Sequence, residues 1–532
     1  MKKVLLITLA ILLIAALLAA CSQDDDNAQP TEGADLKHFD WYVDLSWMHT
    51  FWGEDMFSQW VIETAGFVPN IIVPPAGGEA ERLTTMVAGG EIPDLITLFW
   101  GSAMVSEMIA GGLVQPLDVS AERVAPEFFE HADPSILEWN RQADGHIYGF
   151  NNFTTTPNEV ENDPNVFSNF SVVVRRDIFE AIGSPDMSTT EGFLQALRDA
   201  SEAFPDVEYG PLIPLGSQQF HTENNFDGSI GFASLLHDFL AIPREINGQI
   251  NDRFTDAEYL RWLRMFREAT SEGLIPMDVF VDTGEEFNIK LETGRYFAAL
   301  VQWVDVTIQL ANWYNEDSSR AYMAIPGPRN INGAEPTLSA GSPNGWLTNM
   351  ISATSDNYEN AMQFMSFMAS PDTIRTSFLG FEGITYEIAD GSYIRTQEFL
   401  DTLAEDWDTA NRTFGVNVWG YFQTSPAATR FIDDTTDAVR LARDIYKPYA
   451  TYAGAFSFRP FDAESPHLLQ EMSTNTLWNT TLPQLLLAGS DQEFDSILET
   501  FQQQRTALGF DELQAARQEQ LTDNLERIAR FP

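Results

Sequence analysis

Two tryptophans stand where an indole ring can meet a ligand. Trp100 directly follows the apolar run Asp94 to Phe99 (DLITLF), and Trp303 follows Tyr296 to Val301, with Asp305 two residues on. Both runs suit buried parallel strands, and ligands of open α/β sheets bind beyond the carboxyl ends of strands. An indole placed there offers a flat apolar platform with one polar N–H. The alternative for each ring is core packing: Trp100 under the next helix, Trp303 against Trp313. A third aromatic group, Trp47, His49 and Trp52, follows a first strand expected over Lys37 to Asp44, and an aromatic cluster of this kind also serves as core. Asn151 and Asn152 follow Asp144 to Phe150; their amides suit either a ligand hydroxyl or turn hydrogen bonds.

Residues for covalent chemistry do not assemble into any motif. The sequence has no His-Glu-x-x-His, Gly-x-Ser-x-Gly, Walker A, Gly-x-Gly-x-x-Gly or cysteine pair. Its seven histidines, at 38, 49, 131, 146, 221, 237 and 467, lack metal-ligand spacing. With 78 acidic residues, close carboxylate pairs occur everywhere and mark nothing. A glycoside hydrolase built on two carboxylates stays compatible but has no motif behind it. The expectation is no catalytic residue, no metal and no cofactor. A net charge of −48 repels phosphate backbones, which argues against nucleic-acid binding.

The elements that must position these residues alternate. Leu83, Met86 and Val87 give helical spacing before Gly89-Gly90, the strand Asp94 to Phe99 follows, and Ser102 to Ala110 is a second helix stopped at Gly111-Gly112. The same order returns with the strand Ser171 to Val174 and the helices Asp177 to Ile182 and Thr189 to Phe204. Thr255-Asp256-Ala257-Glu258 reads as a capping box opening a helix with Tyr259, Leu263 and Phe266 inward. This alternation predicts α/β architecture with parallel sheets flanked by helices.

The amino terminus predicts export. Lys2 and Lys3 precede an apolar run from Val4 to Ala20, then Leu18-Ala19-Ala20-Cys21, which resembles the bacterial lipobox. Residues 1–20 read as a signal peptide, Cys21 as the lipidation site, and residues 21–36, with three consecutive aspartates, as a flexible tether. Seventeen apolar residues are at the lower limit for a membrane anchor, the alternative reading. Cys21 is the only cysteine, so the body folds without an internal disulfide.

Several segments in order resemble the extracellular solute-binding proteins of ABC transporters, family 1, and among them the long lipoproteins of oligosaccharide uptake. They are MVAGGEIPDL (86–95), GLVQPLD (112–118), DGHIYG (144–149), VVVRRDIFEAIG (172–183), YLRWLRMFREATSEGLIPMD (259–278) and GRYFAALVQW (294–303). The resemblance implies a two-lobe periplasmic-binding-protein-like fold (type II), hinge-linked around a central cleft. It implies lobe 1 over 37–153 and 345–385, lobe 2 over 154–344 and 386–532, and crossings near 151–155, 337–347 and 383–390. It also implies a carbohydrate ligand, with Trp100 and Trp303 stacking on sugar rings from opposite lobes and Asp305, Asn152 and Glu382 sharing hydroxyl hydrogen bonds. Glu382 is assigned from GFEGITY (380–386), which resembles a family signature, with a hinge or capping contact as its alternative. The implied partners are ABC permease subunits and, through acylated Cys21, the outer face of the cell membrane; the protein is expected to be a monomer. A receptor presenting ligand to a sensor kinase and a polysaccharide-processing enzyme are the other classes kept open. PDVEYGPLIP (205–214) stands where longer relatives carry an Asp-rich calcium loop and lacks its ligands, so no calcium is expected there.

Overall fold

The computed structural model describes residues 36–218, 232–389, 392–424, 437–462 and 464–531. The segments expected to be signal peptide, lipidation site and tether lie outside the described residues, save Leu36. Among those described, no helix is long and apolar enough to cross a membrane.

Among the described residues nine strands build the two large sheets: β1 (Lys37–Val43), β2 (Phe67–Ile72), β3 (Leu95–Phe99), β4 (Phe150–Asn151), β5 (Phe170–Arg175), β6 (Ile213–Ser217), β7 (Tyr296–Gln302), β8 (Tyr322–Ile325) and β9 (Leu347–Ile351). The first sheet has the order β2-β1-β3-β9-β4 and the second β8-β5-β7-β6. β1 is parallel to β2 and β3, while β9 runs antiparallel to both β3 and β4. In the second sheet β7 is parallel to β6, and β5 runs antiparallel to β7 and β8. The sheets are therefore mixed rather than wholly parallel. The reversed strand in each is the first one formed after the chain crosses between sheets. A chain arriving from the other sheet enters where the resident strands end, so it must run back against them.

Each sheet has its own core. Trp41, Phe57, Phe67, Phe128, Phe150 and Phe364 pack on the first sheet, and Phe193, Trp262, Phe266, Phe297, Tyr446 and Trp478 on the second. The apolar runs of β3 and β7 are buried almost throughout, as strands covered by helices on both faces must be. The helix Ala257–Ser271 forms where expected, but Asp256 caps it, accepting from the Glu258 and Tyr259 amides at 2.9 and 3.1 Å. Thr255 instead closes a short 3-10 turn.

The segment after residue 385 departs from the expected lobe division. Val418, Trp419, Tyr421 and Phe422 belong to the first core, and Phe399, Phe414 and Val416 pack beside it with Met56. Buried Trp419 donates to the buried Asp55 carboxylate at 3.0 Å. The next described helix, Asp437–Tyr446, sends Ala438, Ala442 and Tyr446 into the second core. The third crossing therefore does not lie around 383–390, because the aromatic residues of 414–422 have their complementary surface on the first sheet.

Candidate functional site

The first sheet ends in an aromatic surface. Beyond β1, Trp47 is 62% exposed and lies parallel to Trp346, with ring centroids 6.1 Å apart and planes within 5°. Trp346 precedes β9 and also touches Phe153 at 6.1 Å and Tyr421 at 6.2 Å. Phe99 and Trp100 close β3 with centroids 5.7 Å apart, and the Trp100 amide donates to the Trp346 carbonyl at 3.2 Å. These residues converge because β1 and β3 finish where β9 starts. Trp47 and Trp100 stand at strand ends, as expected from the runs before them; Trp346 has no such local mark, since only pairing of β9 with β3 brings it there.

Half-buried Trp100 also walls a cavity of about 450 Å³. Trp139, Asn151, Thr348, Arg459 and Asp462 line it, joining the first sheet to the segment that follows the last crossing. That volume is within the roughly 300–1,000 Å³ usual for small-molecule sites. Asn344 fixes this corner. Its side-chain oxygen accepts from Trp139 Nε1 at 2.6 Å, its carbonyl accepts from Asn151 Nδ2 at 2.9 Å, and its Nδ2 donates to the Ser457 carbonyl at 3.2 Å. Nothing in the sequence singles out Asn344 beyond its place in the turn-forming stretch 339–345 (SAGSPNG), because its partners come from three distant segments.

The second sheet presents polar groups. Gln218, just past β6, donates to Asp305 at 3.2 Å and accepts from the Gln302 amide at 2.8 Å. Asn169 donates to the Gln302 side chain at 2.9 Å and accepts from the Val304 amide at 3.2 Å. The Asp305 carboxylate is open to water yet crowded by protein atoms; desolvation pushes its pKa up to about 6, with the Gln218 hydrogen bond opposing. It is a carboxylate held in place at the mouth of its sheet and able to accept hydroxyls.

Five expected site residues stand elsewhere. Trp303 is 3% exposed, stacked on Phe167 at 5.1 Å with its Nε1 donating to the Ser168 carbonyl, so it is core and not a platform. The chain turns into a 3-10 helix at Trp303, which rolls the ring inward under β5. Trp52 packs edge-on against Phe364 and Trp419 and donates to the Phe67 carbonyl at 3.1 Å, again as core. Asn152 is wholly buried at the first crossing, where its Oδ1 accepts from the Leu347 amide at 2.8 Å. Glu382 is exposed on a turn and forms a β-bridge with Tyr386. His49 is half-buried between Phe51 and Trp407, at 4.8 and 5.9 Å, and desolvation lowers its pKa against the pull of Asp408.

Metal chemistry has no cluster to use: among the described residues no three His, Cys, Asp or Glu side chains converge. In the stretch 205–214, Asp206–Val207 and Gly210–Pro211 pair as a short hairpin, and Glu208 binds Arg320 at 3.3 Å.

No protein-family model matches the chain, and no curated protein matches it. Solved structures do. An alginate-binding protein, AlgQ2, solved without calcium ion, aligns with TM-score 0.67 at 15% identity over 92% of this chain and 99% of its own. The S. pneumoniae ABC-transporter substrate-binding protein FusA, in complex with kestose, gives 0.67 at 14% over 92% and 99%. The Streptococcus pneumoniae N-glycan transport solute-binding protein, in complex with Man5GlcNAc, gives 0.57 at 15% over 92% and 98%. Identities this low establish architecture and nothing finer. The chain therefore has the fold of the two-lobed solute-binding proteins.

Proposed function

We propose that this protein is the substrate-binding component of an ABC importer and holds a carbohydrate, an oligosaccharide, between its two lobes. The observation that carries the reading is the exposed Trp47, parallel to Trp346, beside the Trp100 cavity at the end of the first sheet. Sugars present apolar C–H faces and hydroxyl edges, and flat rings backed by fixed polar groups answer both. The neighbours named above bind alginate, kestose and a mannose-containing N-glycan, which agrees with this ligand class.

In this reading the platforms are Trp47, Trp346 and Trp100, and Asp305 is the acceptor from the facing lobe. Lobe 1 comprises 37–151 and 345–423, and lobe 2 the remainder of the body. Ligand biases closure by contacting both lobes, as a two-state hinge requires. The protein is a monomer, performs no covalent chemistry, and is anchored through acylated Cys21 on the outer face of the membrane, within reach of its permease.

A thermal-shift screen against a glycan library tests this. A ligand at about 100 times its dissociation constant stabilises by roughly 2.7 kcal/mol. A shift with one glycan class is expected; no shift with any would refute the carbohydrate reading.

A further inference from the structure

A second cavity, of about 370 Å³, adjoins the first, and Trp139 and Gln142 line both. Its far wall is the carboxyl end of the helix Phe510–Ile528, with Arg527, Arg530 and Phe531. Phe531 meets Trp139 edge-on at 6.3 Å, and Arg527 donates to the Trp139 carbonyl at 2.9 Å. An aromatic floor thus continues past Trp139.

The charge along this wall is unlike that of the rest of the molecule. The chain carries 30 basic against 78 acidic residues, yet Arg141, Arg459, Arg527 and Arg530 match the acidic lining of the two cavities one for one. Most of those carboxylates are occupied. Asp133 caps a helix by accepting from the Ser135 amide at 2.7 Å, and Glu138 takes Arg141 at 2.7 Å. Asp523 is shared by Arg459 and Arg527, and Asp462 lines the first cavity on the same segment as Arg459. Desolvation and the Arg527 charge both lower the pKa of Arg459, as expected where two guanidiniums share the one Asp523 carboxylate. Among the described residues exposed Arg530 has no ion-pair partner, and it lines the second cavity.

We propose that the second cavity extends the sugar cleft beyond Trp139 and receives an anionic saccharide unit, bearing a carboxylate or a sulfate ester, with Arg530 as its counter-charge. The inference rests on the oligosaccharide reading above and narrows its substrate class. A planar guanidinium fork matches an oxyanion in two hydrogen bonds. Elsewhere the strongly negative surface repels such a ligand, so the arginine wall decides where its charge can rest.

Calorimetric titration of the protein with length-matched neutral, uronate-containing and sulfated oligosaccharides tests this, with Arg530→Gln in parallel. One anionic class should bind at least about tenfold tighter than the neutral one, the scale of one charge-assisted hydrogen bond. That preference should shrink with salt and vanish in Arg530→Gln. The uronate and sulfate arms distinguish the two sources of charge. Neutral ligands binding as well as anionic ones, or a preference that survives Arg530→Gln, overturns the inference and leaves the carbohydrate reading standing. Binding of no glycan at all overturns both.

Discussion

Replacing Trp303 and Trp47 separately by Ala distinguishes core from platform. Trp303 is 3% exposed and loses its stack on Phe167 and its hydrogen bond to Ser168 O, whereas Trp47 is 62% exposed. A buried Trp→Ala change costs about 3–5 kcal/mol, with about 1 kcal/mol more for the orphaned carbonyl. For a lobe of this size each kcal/mol moves the melting temperature by roughly 2–4 °C, so Trp303→Ala should melt about 8–24 °C below the parent. Trp47→Ala gives up one exposed ring contact and should remain within about 1 kcal/mol of the parent. Its effect belongs in affinity, a loss of about 2 kcal/mol or more if the ring is an anchor. Scanning calorimetry gives the first quantity and ligand titration the second. A Trp303→Ala protein that melts with the parent but no longer binds would refute the assignment of Trp303 to the core, and the opposite pattern at Trp47 would refute the platform.

Other substitutions probe the crossing, the facing lobe and the anchor. Gly345 has φ +61° and an added Cβ would lie 1.7 Å from the Asn152 carbonyl, so Gly345→Ala should cost about 2–3 kcal/mol or more in urea unfolding. Asp305 titrates near pH 6, and its raised pKa means that the fold favours the protonated form. Its contribution to stability therefore falls as pH rises from about 4 through 6. Hydroxyl acceptance needs the carboxylate, so affinity should climb from pH 5 to 7, and Asp305→Asn should flatten that profile in titrations across pH. Cys21→Ala should release a folded, ligand-binding protein into the medium, read by immunoblot of cell and supernatant fractions.

Strand runs and helix stops are local properties, and they were legible. DLITLF became β3, YFAALV became most of β7, and the helix at 257–271 formed at its expected place, one residue away from the expected cap. Trp100 was legible for the same reason, since it stands directly after an apolar strand. Trp303 carried the same local signal and turned inward, because the 3-10 turn after β7 and the Phe167 ring decide its direction. Asn152 shows the same limit: an exposed hinge amide and a wholly buried one have identical neighbours in sequence.

Composition and spacing by themselves determined the α/β class, the missing catalytic motifs and the lone cysteine, because each follows from residue types along the chain. Tertiary structure alone decided that residues 397–422 pack with the first lobe, that β5 and β9 run against their sheets, and that Trp346 meets Trp47. It alone gathered four arginines from residues 141 to 530 around two adjoining cavities. The physical reason is common to all of these. Periodicity records which side of an element is apolar, while the identity of the surface it meets depends on chain crossings hundreds of residues apart.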